Sequence, residues 1–199
     1  MNLAFFASHR GSSMQAVFDA CKNGNLRARP RVVISNNSQA EALQRAKREG
    51  VPHYHLSIKT HLAPEALDEA ILQTLQCHQA DLIILAGYLR KLGAKVLAHY
   101  KGRVINIHPA LLPKYGGQGM YGLHVHEAIL AAGETETGVT IHVADAEYDQ
   151  GEIIAQCRVP VREQDTAETL AERVLAREHE FLVNTLKQIV AGEIILPTE

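Results

Sequence analysis

The chain has 199 residues, 46% of them apolar and 21% charged, with a formal net charge of −2. Such a composition suits one globular domain with a sizeable core, and it supplies neither a bulk positive field for nucleic acid nor a like-charged tail. The three cysteines, Cys21, Cys77 and Cys157, are odd in number and far apart, without CxxC or metal-ligand spacing, so reduced thiols in a cytoplasmic protein are expected. The apolar start at Leu3–Ala7 lacks a basic leader and is too short for a signal or a membrane span.

In chain order, Leu3–Ala7 reads as a buried strand, and Ser12–Lys22 as a helix with Gly24 past its end. Arg31–Ser35 is a second strand, Ala40–Glu49 a helix closed by Gly50, and His53–Leu56 a short strand. Pro64–Gln76 is helical, with Leu67, Ile71, Leu72 and Leu75 on one face. Asp81–Ala86 is the clearest buried strand, and a short helix at Gly93–His99 leads to the strand Arg103–Ile107. This alternation predicts an α/β, Rossmann-like, mostly parallel sheet with helices on both faces. After a helix at His124–Ala132 the pattern changes. Gly138–Ala144 and Glu152–Val159 follow each other as an antiparallel C-terminal extension, and a helix from about Thr166 to Ala191 closes the chain. Asp165 is its expected cap, with Glu168 three residues on.

Three segments carry candidate chemistry. The first strand runs into Ser8-His9-Arg10-Gly11-Ser12-Ser13 and then a helix, where free backbone N–H groups and the helix dipole favour a phosphate. With one glycine and no GK[ST], the turn is neither a dinucleotide fingerprint nor a P-loop; a single phosphate site and an ordinary strand–helix turn capped by Ser12 both fit. In Asn106-Ile107-His108-Pro109, residues i and i+2 share one strand face, so Asn106 and His108 point together and Ile107 points away. An amide and an imidazole at the carboxyl end of a parallel strand, with Asp149 in a glycine-bounded loop, are the parts needed to stabilise an oxyanion and move a proton in acyl transfer. His124 and His126 form an HxH pair without a nameable third ligand, so metal is the weaker reading. His142, on a predicted strand, reads as a satisfied half-buried histidine. Tyr88–Leu92 is either a pocket wall or a solvated basic turn.

Together these residues resemble the phosphoribosylglycinamide formyltransferases of purine biosynthesis over nearly the whole length. The resemblance is carried by Gly11-Ser12, Ser35-Asn36, Leu85–Arg90, Asn106–Tyr115, Gly122–His126, Gly138–His142, Asp149-Gln150-Gly151 and Glu178-His179. It implies one formyltransferase domain over 1–199, the N-terminal half binding the ribonucleotide phosphate and the C-terminal half binding folate and catalysing. It implies formyl transfer from 10-formyltetrahydrofolate to the amine of glycinamide ribonucleotide in IMP biosynthesis, with small-molecule substrates and without a metal, a nucleic acid or a membrane. Asn106 and a protonated His108 would donate to the oxygen that gains charge. Asp149 would raise the His108 pKa. The phosphate would lie at Gly11, Ser12 and Ser13, with Glu178 on the glycinamide part. The folate would lie against Leu89, Arg90, Lys91, Leu92, Asn106, Ala144, Asp145 and Asp149. Oligomeric state is left open, a homodimer among the states allowed.

The sequence departs from the commoner pattern at His9-Arg10 and Ser13, where Arg10 adds a cation. It departs again at Pro64, where a basic residue often helps hold the folate tail, and in the longer loop Gly116–Gly122, whose four glycines suggest a mobile flap. Competing readings are another 10-formyltetrahydrofolate-dependent enzyme and a non-catalytic nucleotide-binding module. A tRNA formyltransferase is expected to carry a further C-terminal domain and a basic surface, and a deformylase a further N-terminal domain. The module is disfavoured by the missing GxGxxG and by Asn106, His108 and Asp149.

Overall fold

A computed structural model describes residues 1–197 of the protein. Seven strands form one sheet: β1 (Asn2–Phe6), β2 (Arg29–Ser35), β3 (His53–His55), β4 (Leu82–Leu85), β5 (Val104–His108), β6 (Glu136–Val143) and β7 (Ile153–Pro160). Six helices accompany them: α1 (Ser12–Lys22), α2 (Glu41–Arg48), α3 (Pro64–Cys77), α4 (Ala94–His99), α5 (Leu123–Ala131) and α6 (Ala167–Ala191). The strand order is β3-β2-β1-β4-β5-β6-β7. The first five strands are parallel, and β6 and β7 add on antiparallel, as the change in sequence pattern predicts.

Alternation along the strands builds two cores. Leu3, Phe5, Ile105 and Ile107 face one side, where residues of α1, α2, α5 and α6 cover them. Ala4, Phe6 and Val104 face the other, under α3 and α4. Each buried Leu, Ile or Phe contributes about 1.5–3 kcal/mol. Phe5 packs edge-on against Phe18 at 5.3 Å and is fully buried; its replacement by alanine costs about 3–5 kcal/mol.

Two expectations change in detail. The cap of α6 is Thr166, not Asp165: its side chain accepts from Thr169 N–H while the Thr169 hydroxyl accepts from the Thr166 backbone. Asp165 instead pairs with Arg173 at 2.6 Å. In α3, Ile71 and Leu75 are buried as expected, but Asp68 is buried beside them. Its carboxylate accepts from the Lys95 and Val96 amides (2.8 and 3.2 Å) and so holds the start of α4; an unpaired carboxylate there would be costly.

This topology fixes where a ligand can sit. After β1 the chain crosses to β2 on one side, and β4 lies on the other. The loops following β1 and β4 therefore diverge and open a crevice at the carboxyl ends of the strands.

Candidate active site

One cavity of about 860 Å³ occupies that crevice. The turn after β1 supplies His9 to Ser13, the segment after β4 supplies Ala86 to Leu89, and β5 supplies Asn106 and His108. Gln118 to Gly122, Asp149 and, from α6, Leu175 and Glu178 complete the wall. Ser8 ties the crevice together: its hydroxyl donates to Asn36 Oδ1 (2.6 Å) and accepts from the Leu89 amide (2.8 Å), joining the ends of β1 and β2 to the segment after β4.

Asn106, His108 and Asp149 meet at one end. Asn106 and His108 share the Val104 face of β5, opposite Ile105 and Ile107, as the two-residue period requires. Asp149 has a left-handed backbone (φ 56°), a conformation an aspartate tolerates at modest cost. It sets one oxygen 3.2 Å from Asn106 Nδ2, while the other lies 3.5 Å from His108 Nδ1 and accepts from the Gly117 amide at 2.9 Å. Gly116 makes that approach possible, because a Cβ there would come within 2.5 Å of Leu112 Cδ2 and 3.1 Å of Asp149 Cβ. The glycine-rich loop thus lines the site and touches Asp149 through the Gly117 amide, with Gly117, Gly119 and Gly122 at positive φ.

His142 belongs to this cluster and was missed. In the β5–β6 register it stands directly opposite Asn106, with Nε2 3.0 Å from Asn106 Nδ2. Its Nδ1 lies 2.8 Å from the Val143 carbonyl, an acceptor, so Nδ1 carries a proton and a neutral ring accepts from Asn106 through Nε2. No spacing rule finds His142, since the signal is a strand register.

The electrostatics correct one expectation. Asp149 does pull the His108 pKa up, but burial outweighs it. Desolvation, opposed by Asp149 and by the Tyr115 carbonyl, holds the imidazole below the ordinary histidine value. His108 Nε2 lies 2.7 Å from that carbonyl, so its proton points there and not at a reacting oxygen. Burial alone would raise the Asp149 carboxyl; His108 beside it and the donors that face it, the Gly117 and Asn106 amides, win and hold it below the usual carboxylate range.

Gly11, Ser12, Ser13 and Glu178 all line the same cavity, at its other end. Gly11 adopts φ 67°, and a Cβ on it would come within 2.7 Å of Ala42 Cβ. No side chain caps α1, so Ser12 is not the cap that an ordinary turn would use. The first-turn amides of α1 are donors without a protein partner among the described residues. Glu178 accepts from the Ser13 hydroxyl, and burial pushes its carboxyl up to about 7.

The residues expected around folate divide. Leu89 lines the large cavity. Arg90, Lys91, Leu92, Ala144 and Asp145 gather with Asn106 and Asp149 around an adjoining hollow of about 50 Å³. That is little more than the room of one or two waters. Tyr148 bounds it, with Lys91 Nζ 5.0 Å from its ring and 3.3 Å from Glu147. Beside it a third hollow of about 460 Å³ is lined by Lys59, Pro64, Arg90 and Lys91 among others. The HxH pair splits, with His124 exposed and His126 buried. Among the described residues no three His, Cys, Asp or Glu side chains converge as a metal-ligand set, and no helix is long and apolar enough to cross a membrane.

Known proteins align with this architecture. The formyl transferase family profile matches residues 1–186. A phosphoribosylglycinamide formyltransferase of Escherichia coli is 36% identical over 90% of this chain and 82% of its own length. A chloroplastic phosphoribosylglycinamide formyltransferase of Vigna unguiculata is 37% identical over 97% of this chain, which spans 62% of that longer protein. The crystal structure of glycinamide ribonucleotide transformylase 1 from Symbiobacterium toebii superposes with a TM-score of 0.90 at 35% identity, covering 100% of this chain and 92% of that one. The chain therefore belongs to the formyl transferase family, among its phosphoribosylglycinamide formyltransferases.

Proposed function

We propose that the protein transfers the formyl group of 10-formyltetrahydrofolate to the amine of N1-(5-phospho-D-ribosyl)glycinamide, a step of de novo purine biosynthesis. The observation that carries this reading is that one cavity joins the Asn106–His108–Asp149 cluster to the uncapped N-terminus of α1. The amides at Gly11, Ser12 and Ser13 take the phosphate, Arg10 adds charge at the rim, and Glu178 meets the glycinamide part. The amine then reaches the β5 end, where the formyl carbon of the folate is presented from the Leu89–Leu92 side.

The network at β5 has a defined task. At rest both Asn106 amide hydrogens are taken, by His142 Nε2 and Asp149 Oδ1 (3.0 and 3.2 Å). When the amine attacks and the formyl oxygen gains charge, that oxygen competes for the hydrogen on Asp149. The exchange turns Asn106 to the oxyanion, an interaction worth roughly 3 kcal/mol. It also frees Asp149 Oδ1 to take the proton that the amine must lose. His108, its ring held by the Tyr115 carbonyl, adds a nearby positive charge only in the fraction of molecules in which it is protonated, a fraction that burial lowers. As the C–N bond to folate breaks, Asp149 gives the proton it took from the amine to the departing folate nitrogen, which leaves the carboxylate as it began. The pterin ring enters the narrow hollow once Tyr148 and Lys91 part, and the folate tail lies toward Lys59 and Arg90, with no role for Pro64.

The test is a transfer assay with isotopically labelled formyl-folate and the phosphorylated amine, read by mass spectrometry. Label in the amine product, dependent on protein, is expected. Label released as formate at the same rate without the amine would instead favour a deformylase.

A further inference from the structure

The hydroxyl of Ser13 does something that the first-turn amides do not. Ser13 is the second residue of α1, where a serine side chain ordinarily serves its own helix or faces solvent. Here no side chain caps α1, and Ser13 is 6% exposed. Its hydroxyl crosses instead to Glu178 on α6, a contact 165 residues apart in the chain, and donates to Oε1. Both residues line the large cavity. The first turn therefore splits its labour: its backbone N–H groups have no protein partner among the described residues, and the Ser13 oxygen is committed to a carboxylate on the helix packed beside it.

We propose that Ser13 is a positioning residue, whose hydroxyl fixes one oxygen of Glu178 so that the other is presented to the non-phosphate part of the acceptor. The proposal rests on the reading that this cavity takes the phosphorylated amine. A free glutamate rotates about three side-chain torsions, and fixing it beforehand removes the entropy cost of ordering it at binding. Ser13 is the hydrogen-bond partner of Glu178, and its bond favours the ionised carboxylate against the burial that raises the group. His9, Arg10, His108 and Asp149 share the cavity wall with it, and His179 follows it on α6.

The experiment is a double-mutant cycle of Ser13→Ala and Glu178→Ala. Ser13→Ala is expected to raise the acceptor KM by roughly ten-fold, the scale of one hydrogen bond to a charged group. The folate KM and kcat should stay within about two-fold on the same scale. In the Glu178→Ala background, which has no acceptor for the hydroxyl, the same substitution should add nothing. Equal factors in both backgrounds, or a parallel fall in kcat and both KM values, would overturn the assignment. Infrared titration of the Glu178 carboxyl, identified by difference against Glu178→Gln, tests the contact without substrate. Its midpoint should move to higher pH in Ser13→Ala and less so in Ser13→Cys, a weaker donor of similar size. An unmoved midpoint refutes the contact, whereas absence of acceptor-dependent turnover in the unaltered protein refutes the parent reading.

Discussion

At the β5 end of the cavity the polar atoms are bonded to one another, whereas at the α1 end the backbone donors are left over. Asn106, His108, His142 and Asp149 share hydrogen bonds and close contacts, with the Tyr115 carbonyl and Gly117 amide completing the set. The first turn of α1 has no side-chain cap. The difference matches two kinds of work. A group that must meet charge appearing only in the transition state gains from being held in place beforehand. A group that binds a permanent charge equally well throughout needs only exposed donors and a favourable dipole. Substitutions at the β5 end should therefore act on kcat, and those at the α1 end on acceptor KM.

The largest expected effect is at Asn106. Asn106→Ala should lower kcat by about 10²–10³-fold, as loss of one oxyanion donor does, with the acceptor KM little changed. An acceptor KM that rises as steeply as kcat falls would erase the division between the two ends.

Asp149→Asn should lower kcat by roughly 10²-fold through loss of the base. It should also displace the pH profile. The rate that depends on protonated His108 is present at low pH and lost as pH rises through the His108 pKa. Burial already sets that pKa below the ordinary value, and Asp149 opposes the shift. Removing the charge therefore moves the loss to still lower pH, a displacement seen in kcat measured against pH.

At the α1 end, Gly11→Ala should destabilise the protein by about 1–3 kcal/mol, because the new methyl overlaps Ala42 and the backbone is left-handed. Thermal melting checks the stability, and the acceptor KM should rise with kcat held.

The smallest effect is global. His108, His126 and His179 all sit below the ordinary histidine value, in each case chiefly through burial. Unfolding thus takes up protons in the ordinary histidine range. Glu178, raised to about 7 by burial, contributes the opposite slope in this window; in Glu178→Gln, which removes it, stability should be full above the histidine range and fall as pH drops through it, measurable as a declining denaturation midpoint. A midpoint flat across that range would show that these rings are solvated.

Much of the fold could be read from the chain, because its signals are local. Buried runs such as Leu82–Leu85 and the glycines that end α1 and α2 mark elements one at a time. The switch from alternating helices to paired strands marks where β6 and β7 turn antiparallel. The grouping of Asn106 with His108 in the candidate site was legible because spacing within one element decides it; at Gly11 the chain left a capped turn and a phosphate site both open, and the uncapped turn emerged only in the structure. The site was not legible where tertiary register or backbone atoms decide. His142 became a site residue only through its register with Asn106. The Tyr115 carbonyl and the Gly117 amide leave no side-chain signature. The upward pull of Asp149 on His108 can be read from the chain, but the larger opposing burial cannot, because it is a property of the assembled sheet.

The most direct measurement is steady-state formyl transfer by the unaltered and Asn106→Ala proteins, with the phosphorylated amine varied. The account predicts tetrahydrofolate formed only with the amine present, and a kcat lost by about 10²-fold or more at nearly constant acceptor KM. Tetrahydrofolate released as fast without the amine, or a kcat that survives the loss of Asn106, would contradict it.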